Sequence, residues 1–316
     1  MNIGLIGLGK MGLLHASILS FMPDIHLAAV CEGNGKVVRF AKNMFGQTLF
    51  VDSLGKLAGQ KLDAVYITTP IPSHFAIAQF LYSENITANI FVEKTLTSNY
   101  EESVKLINLA KQSNGVNMVG YMNRFAVTFK KCKELLDQRT IGKIVAFEAH
   151  ALSSDFIAIK KGTPPRGGVL NDLGSHVLDL AIWYFGELQV KSVKTNTVND
   201  SYFDVKTRDE VEGIFDVSWQ RKNFRNPEIS LNIKGSLGNI EVNNSCVILQ
   251  KNNENRLIWY RQDLADNVPF LLGAPEYYRE DEHFVKSLEE HHFAEPDFET
   301  ASKVDQIISE VKQRIF

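Results

Sequence analysis

The sequence predicts an α/β protein: an N-terminal Rossmann domain with a doubly wound parallel sheet, followed by a C-terminal α+β domain with an open, mostly antiparallel sheet. Three observations lead to this fold class. Short apolar strands alternate with helical stretches over residues 1–122, a pattern typical of a parallel sheet covered on both faces. Residues 123–316 contain runs that alternate between apolar and polar side chains, as half-buried strands do. The length of 316 residues also exceeds the size at which one hydrophobic core stops growing, which favours two domains.

The predicted elements of the first domain begin at the first residues of the chain. Five apolar strands are predicted, at Ile3–Ile6, Leu27–Cys31, Ala64–Ile67, Ile90–Val92 and Asn117–Val119. Helices are predicted between them, at Met11–Phe21, Lys36–Phe45, Ser73–Tyr82 and Asn99–Gln112. Ser98 and Glu101 form a capping-box pattern before the last helix. We expect that helix to bury Val104, Ile107 and Ala110.

The second domain is predicted from a change of pattern after Arg124. A helix is expected near Phe125–Leu136 and a strand over Ile144–Leu152, and residues 211–219 and 229–233 alternate as half-buried strands do. Two helices are predicted to close the chain, with apolar stripes formed by Tyr277, Phe284 and Leu288 and by Val304, Ile307, Ile308, Val311 and Ile315. The boundary between the domains is expected near Tyr121–Phe125.

A glycine-rich hexapeptide follows the first predicted strand at once. Gly7-Leu8-Gly9-Lys10-Met11-Gly12 has the spacing G-x-G-x-x-G. In that motif Gly7 permits the tight turn, Gly9 lets a pyrophosphate approach the backbone, and Gly12 lets the helix lie close to the sheet. The amino end of the helix then faces the phosphates. All six residues are predicted to contact a dinucleotide.

Glu32 lies at the tip of the second predicted strand, where a carboxylate accepts hydrogen bonds from the adenosine ribose hydroxyls. A 2′-phosphate near that carboxylate would be repelled. At ~4 Å and an effective dielectric of ~20, one pair of unit charges costs about 4 kcal/mol. As an upper bound this is roughly a thousandfold in affinity. The sequence therefore predicts NAD as the cofactor in preference to NADP.

Composition and charge limit the class of partner. The net charge of −3, with 22% charged residues, gives no support for a nucleic-acid or anionic-membrane partner. We find no apolar run of membrane-span length and expect no signal peptide. Cys31, Cys132 and Cys246 are well separated, which suits a reducing cytoplasm and predicts neither a disulfide framework nor a zinc site. We expect a cytoplasmic protein that acts on a small molecule.

Two further stretches end strands of the first domain. Thr68, Thr69 and Pro70, with His74 soon after, follow the third predicted strand. Ligands of such sheets bind beyond the carboxyl ends of the strands, so this segment is expected to line the nicotinamide half of the site. A plain loop that starts a helix is the alternative. Glu93-Lys94 ends the next strand, where Lys94 is able to hold a substrate hydroxyl and favour its alkoxide. The alternative there is a solvated charge pair.

Asp172 and His176 lie four residues apart in a helix predicted from about Val169 to Tyr184, so they share a face. Oxidation of an alcohol removes a proton with the hydride, and a histidine that titrates near neutrality is a suitable base. Asp172 is able to orient the imidazole. A metal pair is the competing hypothesis, but no further ligands stand at recognisable spacing, and a purely structural pair is the other. His15, on the first helix, is interpreted as a packing residue.

Taken together, these segments resemble the family of glucose-fructose oxidoreductase, inositol dehydrogenase and the rhizopine-catabolism protein MocA, abbreviated Gfo/Idh/MocA. The matching segments are Gly7 through Gly12, Ile67 through Pro70 with His74, Glu93-Lys94, Gly120 through Phe125, and Gly167 through Asp179. The resemblance implies a lysine, aspartate and histidine site, which falls here on Lys94, Asp172 and His176. It also implies a C-terminal sheet that makes an oligomer contact, hence a homodimer or homotetramer.

One position departs from the family pattern. The family usually has proline after Glu-Lys, and this chain has Thr95. If that proline fixes a cis peptide, Thr95 either keeps the geometry at a cost of ~2.5–4 kcal/mol or relaxes to trans. The role of Lys94 therefore depends on that peptide.

The favoured hypothesis is an NAD-dependent dehydrogenase that acts on a secondary hydroxyl of a sugar, cyclitol or (nucleotide-)sugar derivative. His176 would take the hydroxyl proton, Asp172 would support it, and Lys94 would position the oxygen, while Glu93 and Asn123 would help to seat the nicotinamide ribose and carboxamide. Substrate contacts are predicted at Lys94, Tyr121, Arg124, Arg166, Asn171, Asp172 and His176.

Three alternatives remain open. One is a dinucleotide-binding regulator without catalysis, which we would expect to lack the lysine, aspartate and histidine set. Another is a glycosidase that uses bound NAD for transient oxidation. A short-chain dehydrogenase is a weaker alternative, since Tyr202 and Lys206 fit its motif only among strand-like segments. Lys160, Lys161 and Arg166, with Arg124, also raise the hypothesis of an anionic substrate, although a solvated loop explains them equally.

Overall fold

The computed structural model describes residues 1–154, 167–264, 268 and 274–314. These residues form two compact units. The first unit is Met1–Gly120 with Tyr277–Asp305, and the second is Tyr121–Glu276 with Gln306–Phe316. The predicted folding domains, 1–122 and 123–316, stay a prediction, because native contacts alone do not tell which segments fold by themselves.

The first unit contains a six-stranded sheet in which every pair of neighbouring strands is parallel. Its strand order is β3-β2-β1-β4-β5-β6, the order of a classic Rossmann fold. The strands are β1 Asn2–Ile6, β2 His26–Cys31, β3 Leu49–Val51, β4 Ala64–Ile67, β5 Ile90–Glu93 and β6 Asn117–Gly120. The helices between them are α1 Lys10–Phe21, α2 Gly35–Met44, α3 His74–Ser83 and α4 Tyr100–Ser113. The predicted doubly wound sheet is confirmed.

The register of this sheet brings the carboxyl ends of its central strands to one edge. Ile6 of β1 pairs with Cys31 of β2 and with Ile67 of β4, and Ile67 pairs with Val92 of β5. The residues that follow these strands therefore lie along the same edge of the sheet. Such an edge is where open α/β sheets bind their ligands.

The predicted cap of α4 was wrong, and of the residues predicted to be buried Ala110 is confirmed. Asn99, rather than Ser98, caps the helix, and its Oδ1 accepts the Glu102 N–H at 3.0 Å. Val104 is 39% exposed. The residues that α4 buries are Ser103, Leu106 and Ala110. Ser98 and Asn99 are adjacent and are both good caps. Leu106 and Ile107 are adjacent apolar residues, so helical spacing alone allowed two apolar stripes.

The second unit contains an eight-stranded sheet in the order β14-β13-β12-β11-β7-β10-β9-β8. Only the β7–β10 pair is parallel within this sheet, and the other neighbours are antiparallel, which confirms the predicted mostly antiparallel sheet. The strands are β7 Ile144–Leu152, β8 Leu188–Asn196, β9 Asp200–Thr207, β10 Glu212–Ser218, β11 Glu228–Gly235, β12 Gly238–Asn243, β13 Cys246–Lys251 and β14 Leu257–Tyr260. The helices of this unit include α5 Val127–Asp137 and α6 Ser175–Phe185. Helix α7, Glu276–Glu289, belongs to the first unit from Tyr277 onward, and α8, Phe298–Gln313, is divided between the two units after Asp305.

One face of the eight-stranded sheet is covered by helices. α5 packs on β12 and β13, and α6 packs on β7 and β11. Phe147, Phe203 and Phe215 are buried on that face, and the rings of Phe203 and Phe215 stack at 4.9 Å. The alternation predicted for β7 is confirmed, because Phe147, Ala149 and Ala151 are buried while Glu148 and His150 between them are not.

None of the helices in the described ranges combines the length and the apolar character that a membrane span requires. Tyr202 and Lys206 lie on β9, so the short-chain dehydrogenase pattern there falls on a strand. Residues four apart are separated by roughly 13 Å along a strand but by about 6 Å along a helix, so these two side chains lack the close approach of a helical Tyr-x-x-x-Lys pair.

Candidate functional site

The glycine-rich loop connects β1 to α1 with the geometry that its spacing predicts. Gly7 has a φ of +91°, which side chains rarely adopt, and a Cβ there would lie 2.6 Å from Thr69 Cγ2. A Cβ at Gly12 would lie 2.0 Å from the Gly7 carbonyl oxygen, so the bare backbone lets α1 pack on the loop. A Cβ at Gly9 would meet no atom of the described residues within 4 Å. There is therefore room beside Gly9 for a ligand.

Glu32 follows β2, and its carboxylate is held by two backbone segments. Glu32 Oε2 accepts the Leu8 N–H at 2.7 Å, and Oε1 accepts the Asn34 N–H at 2.7 Å. Both hydrogen bonds are charge-assisted and therefore strong. A carboxylate oxygen accepts up to two hydrogen bonds, so this orientation leaves acceptor capacity toward ribose hydroxyls. The Leu8 N–H of the glycine-rich loop is directed at Glu32.

The segment after β4 ties the glycine-rich loop to the turn after β5. Thr68 Oγ1 donates to the Gly7 carbonyl oxygen at 2.6 Å. His74 Nε2 lies 2.7 Å from the Thr69 carbonyl oxygen, and His74 Nδ1 lies 2.9 Å from the Thr95 carbonyl oxygen. Burial lowers the pKa of His74. His74 thus connects two loops from a fully buried position, and its direct contact with a cofactor stays a prediction.

Glu93 and Lys94 lie at the carboxyl end of β5, on the same sheet edge as the glycine-rich loop. Glu93 is 7% exposed and Lys94 is half-buried. Glu93 Oε2 accepts the Lys94 backbone N–H at 3.1 Å. The peptide bond between Lys94 and Thr95 is cis, so the threonine keeps the geometry that the missing proline had put in question.

His15 was missed by sequence reasoning, which treated it as a packing residue. It is fully buried on α1, and both of its ring nitrogens face carboxylates. His15 Nδ1 lies 2.8 and 2.9 Å from the two oxygens of Asp281, and Nε2 lies 3.0 Å from Glu93 Oε1. Burial alone would lower the pKa of His15, but Asp281 and Glu93 together raise that pKa well above its usual range. Burial raises the pKa of Asp281.

In the second unit, Asp172 and His176 lie on either side of a change in helix type. A π-helical turn, Leu170–Gly174, precedes α6. Such turns occur frequently at functional sites. Asp172 is 6% exposed, and His176 is half-buried. The predicted helical continuity is confirmed, with a wider first turn that periodicity does not reveal.

Asn171, predicted to contact substrate, is 4% exposed and lies in the same π-helical turn. Its side-chain oxygen accepts a hydrogen bond from Lys312 Nζ, and its carbonyl oxygen accepts the Ser175 hydroxyl at 2.7 Å. Lys312 comes from α8, and sequence reasoning missed it because 141 residues separate it from Asn171. The turn that carries Asp172 is therefore held from α8 as well as from α6.

Tyr121, Asn123 and Arg124 follow β6 and are all buried. Arg124 is paired with Asp179 on α6 at 2.7 and 2.8 Å, and its guanidinium lies 5.7 Å from the Trp183 ring. That charge is already matched, which does not favour an anion-binding role for Arg124. Neither side-chain atom of Asn123 has a hydrogen-bond partner within the described ranges. An orphaned buried amide is costly, so a bound ligand group is the simplest complement for Asn123.

Three predicted anion-binding residues, Lys160, Lys161 and Arg166, lie outside the described residues. A groove of about 340 Å³ lies on the outer face of the eight-stranded sheet and is lined by His150, Asn232 and Cys246 among others. None of the predicted site residues lines that groove.

Comparison with known families matches most of the chain in two parts. Residues 1–121 match a model described as "Oxidoreductase family, NAD-binding Rossmann fold". Residues 129–241 match a model described as "GFO/IDH/MocA C-terminal domain".

Similar curated proteins and solved structures carry related descriptions. Oxidoreductase P35 of Formosa agariphila is 28% identical over 269 residues, which cover 79% of this chain and 82% of that protein. Myo-inositol 2-dehydrogenase of Thermotoga maritima is 28% identical over 195 residues, covering 59% of this chain and 55% of that protein. The chain thus matches little more than half of that dehydrogenase. A levoglucosan dehydrogenase in complex with NADH and levoglucosan superimposes with a TM-score of 0.84 at 20% identity, covering 99% of this chain and 97% of that one, a likeness of fold.

Proposed function

Because the chain belongs to the Gfo/Idh/MocA family of oxidoreductases, we propose that it is a dehydrogenase that moves a hydride between NAD and a secondary hydroxyl of a sugar, cyclitol or sugar derivative. One observation carries this proposal. The sheet edge that bears the glycine-rich loop also bears Glu93 and Lys94. A dinucleotide loop and a lysine able to hold an alcohol oxygen thus belong to one edge.

The residues of the first unit fit a dinucleotide. The room beside Gly9 admits a pyrophosphate, and the Glu32 carboxylate is fixed as an acceptor for ribose hydroxyls. In the second unit, the buried amide of Asn123 has no hydrogen-bond partner within the described ranges and suits the carboxamide of a nicotinamide. The bound nicotinamide supplies the hydride acceptor or donor. The charge on Glu32 favours NAD over NADP.

The chain's own residues supply the proton chemistry in this proposal. His176 takes the hydroxyl proton, because an imidazole is the side chain best matched to proton transfer near neutral pH. Asp172 supports the charged form of that imidazole. Lys94 holds the oxygen and stabilises its developing negative charge. Glu93 seats the nicotinamide ribose from the end of β5.

The first experiment is a panel of neutral sugars, cyclitols and uronates, with NAD reduction followed by absorbance. Turnover of at least one polyol with NAD supports the proposal. Cofactor binding without turnover of any compound would favour a regulator instead, and release of glycoside without net NADH would favour an NAD-assisted glycosidase. A preference for uronates over neutral sugars would support an anionic substrate.

A second experiment tests the assigned base. We expect His176→Ala to lower kcat by roughly 10²–10⁴-fold, the usual contribution of a general base, while NAD affinity changes little. His26→Ala, which removes an exposed histidine on β2, is the control. Equal losses of kcat and NAD affinity in His176→Ala would contradict the assignment.

We also propose a homodimer or homotetramer formed through the eight-stranded sheet, and a cytoplasmic location. The face of that sheet opposite α5 and α6 carries Glu148 of β7 and its pairing partner Asn232 of β11, with Ser230 two residues before Asn232 on the same strand. Cys31, Cys132 and Cys246 are all free thiols, which suits a reducing compartment. Sedimentation of the purified chain tests the subunit count, and a monomer would contradict that part of the proposal.

A further inference from the structure

We propose that His15 is a positioning residue for Lys94: its charged imidazole, held by Asp281, fixes the Glu93 carboxylate and through it the turn that carries Lys94. The inference rests on the proposed function, since Lys94 is the residue assigned there to hold the substrate oxygen.

The chain of contacts runs through three elements of the first unit. Both carboxylate oxygens of Asp281, on α7, lie within hydrogen-bond distance of His15 Nδ1, at 2.8 and 2.9 Å. His15, on α1, also lies 3.0 Å from Glu93 Oε1 through its Nε2. The other oxygen of Glu93 accepts the Lys94 backbone N–H at 3.1 Å. Both oxygens of Glu93 are therefore engaged, one by a side chain and one by the backbone. The carboxylate cannot rotate without losing one of these contacts.

The hydrogen-bond pattern fits a doubly protonated imidazole between two ionised carboxylates. A neutral imidazole carries one N–H and one lone pair, and an ionised carboxylate only accepts hydrogen bonds. Both nitrogens of His15 face carboxylate oxygens at hydrogen-bond distance. An imidazolium donates to both, and each bond is then charge-assisted. The raised pKa of His15 agrees with this geometry.

The surroundings strengthen the interaction. The His15 ring lies 5.2 Å from the Phe91 ring, 5.7 Å from the Tyr66 ring and 6.1 Å from the Tyr277 ring. His15 and Asp281 are both fully buried. In such a low-dielectric environment a paired charge interacts strongly and an unpaired one is costly. The position of Glu93 is thus coupled to the charge on His15.

A metal site is the other arrangement these side chains suggest. His15, Glu280 and Asp281 offer donor atoms within 4.8 Å of one another. However, each ring nitrogen of His15 already lies within hydrogen-bond distance of a carboxylate. The geometry around His15 is therefore that of an imidazole hydrogen-bonded between two carboxylates, Asp281 and Glu93.

The expected consequence of losing the imidazolium is a displaced Lys94. Without a donor at Oε1, Glu93 can turn away from the backbone N–H, and the lysine turn loses one of its anchors. A displacement of about 1 Å in a reacting group costs as much as 10²-fold in rate. Because Glu93 also seats the nicotinamide ribose in the proposed function, NAD affinity should fall too. It should fall less than kcat, because Glu32 and the glycine-rich loop are not part of this chain of contacts.

The test compares His15→Gln and Asp281→Asn with His26→Gln, a control that removes an exposed imidazole from the same unit. Lysines are labelled by reductive ¹³C-methylation, and the Lys94 signal is assigned from its absence in Lys94→Arg. The ring nitrogens of ¹⁵N-histidine in the unmodified chain report the protonation of His15. Steady-state kinetics and NAD binding are measured on each variant.

We expect doubly protonated His15 at neutral pH, and a Lys94 signal that moves in His15→Gln and Asp281→Asn but not in His26→Gln. We expect kcat to fall about 10–100-fold in His15→Gln, with a smaller change in the Kd for NAD. A neutral His15 in the unmodified chain would overturn the inference, as would an unmoved Lys94 signal.

Failure of the proposed function gives a different result. If the unmodified chain oxidises no sugar or cyclitol, that function fails, while the lysine and histidine spectra still decide the role of His15. If His15→Gln does not fold, Asp281→Asn and the spectrum of the unmodified chain decide it.

Discussion

Replacing Glu32 with glutamine should shift the cofactor preference from NAD toward NADP. The glutamine removes one negative charge at the position where a 2′-phosphate would lie. At ~4 Å and an effective dielectric of ~20 that repulsion is about 4 kcal/mol for each pair of unit charges, an upper limit of roughly a thousandfold in affinity. We expect the ratio of the two Kd values to change by about 10-fold to 1000-fold.

The same substitution has a structural cost that the geometry predicts. Glu32 accepts the Leu8 and Asn34 N–H groups through different oxygens, and glutamine offers only one oxygen. One N–H group then loses its acceptor, at about 1–3 kcal/mol if it stays buried. NAD affinity should therefore also fall, because the glycine-rich loop is less well held.

Titration of each cofactor at low salt, followed by calorimetry, measures both effects. Asp52→Asn is a matched control, since it removes an equal charge from a neighbouring exposed carboxylate that pairs with Lys56. An unchanged ratio of NAD to NADP affinity in Glu32→Gln would refute the electrostatic argument, and a similar shift in Asp52→Asn would show that the effect is not local.

The remaining predictions concern backbone, charge and pH. Gly12→Ala places a Cβ 2.0 Å from a carbonyl oxygen and should lower both the Tm and the NAD affinity. Gly9→Ala has open space at its Cβ and should lower the NAD affinity alone. Equal losses of Tm in the two variants, measured by thermal melting, would count against this reasoning. Asp179→Asn removes the carboxylate that pairs with the buried Arg124 charge and should lower the free energy of unfolding, measured in urea, by about 3–5 kcal/mol. A decrease below about 1 kcal/mol would mean that the pair is not buried in solution. The pKa of His15 is raised by its carboxylates, so its contribution to stability is complete below the unfolded pKa of about 6.5 and is lost as pH rises through the folded pKa. The difference in unfolding free energy between the unmodified chain and His15→Gln should therefore shrink with rising pH, and a constant difference would be inconsistent with a charged His15.

Much of the fold was predictable because the two sheets have different sequence periods. Strands buried on both faces appear as short apolar runs, and strands with one buried face appear as alternation. The strands β3 and β14 have only three and four residues, which is too short for either pattern to be recognised. The cap of α4 was misplaced because Ser98 and Asn99 are chemically equivalent as caps, and only the backbone conformation chooses between them.

The site was predictable where function requires a local spacing. The glycines and Glu32 belong to one strand–turn–helix unit, so a few residues were enough to predict the geometry of that unit. Their contacts with a cofactor stay a prediction. His15 gives no such signal, because a histidine on an apolar helix face is usually a packing residue. Its partner Asp281 is 266 residues away, and nothing local connects the two. Lys312 was missed for the same reason.

The return of Tyr277–Asp305 to the first unit has a consequence for synthesis on the ribosome. The strands and helices of the nucleotide-binding half are made first, yet Asp281, the carboxylate that neutralises His15, is translated 266 residues after it. Until α7 emerges, the interior of that half holds an imidazole and Glu93 without their third member. Ribosome-bound chains stalled before residue 277 should consequently be open to proteases around α1, and they should become resistant only when the late segment is added.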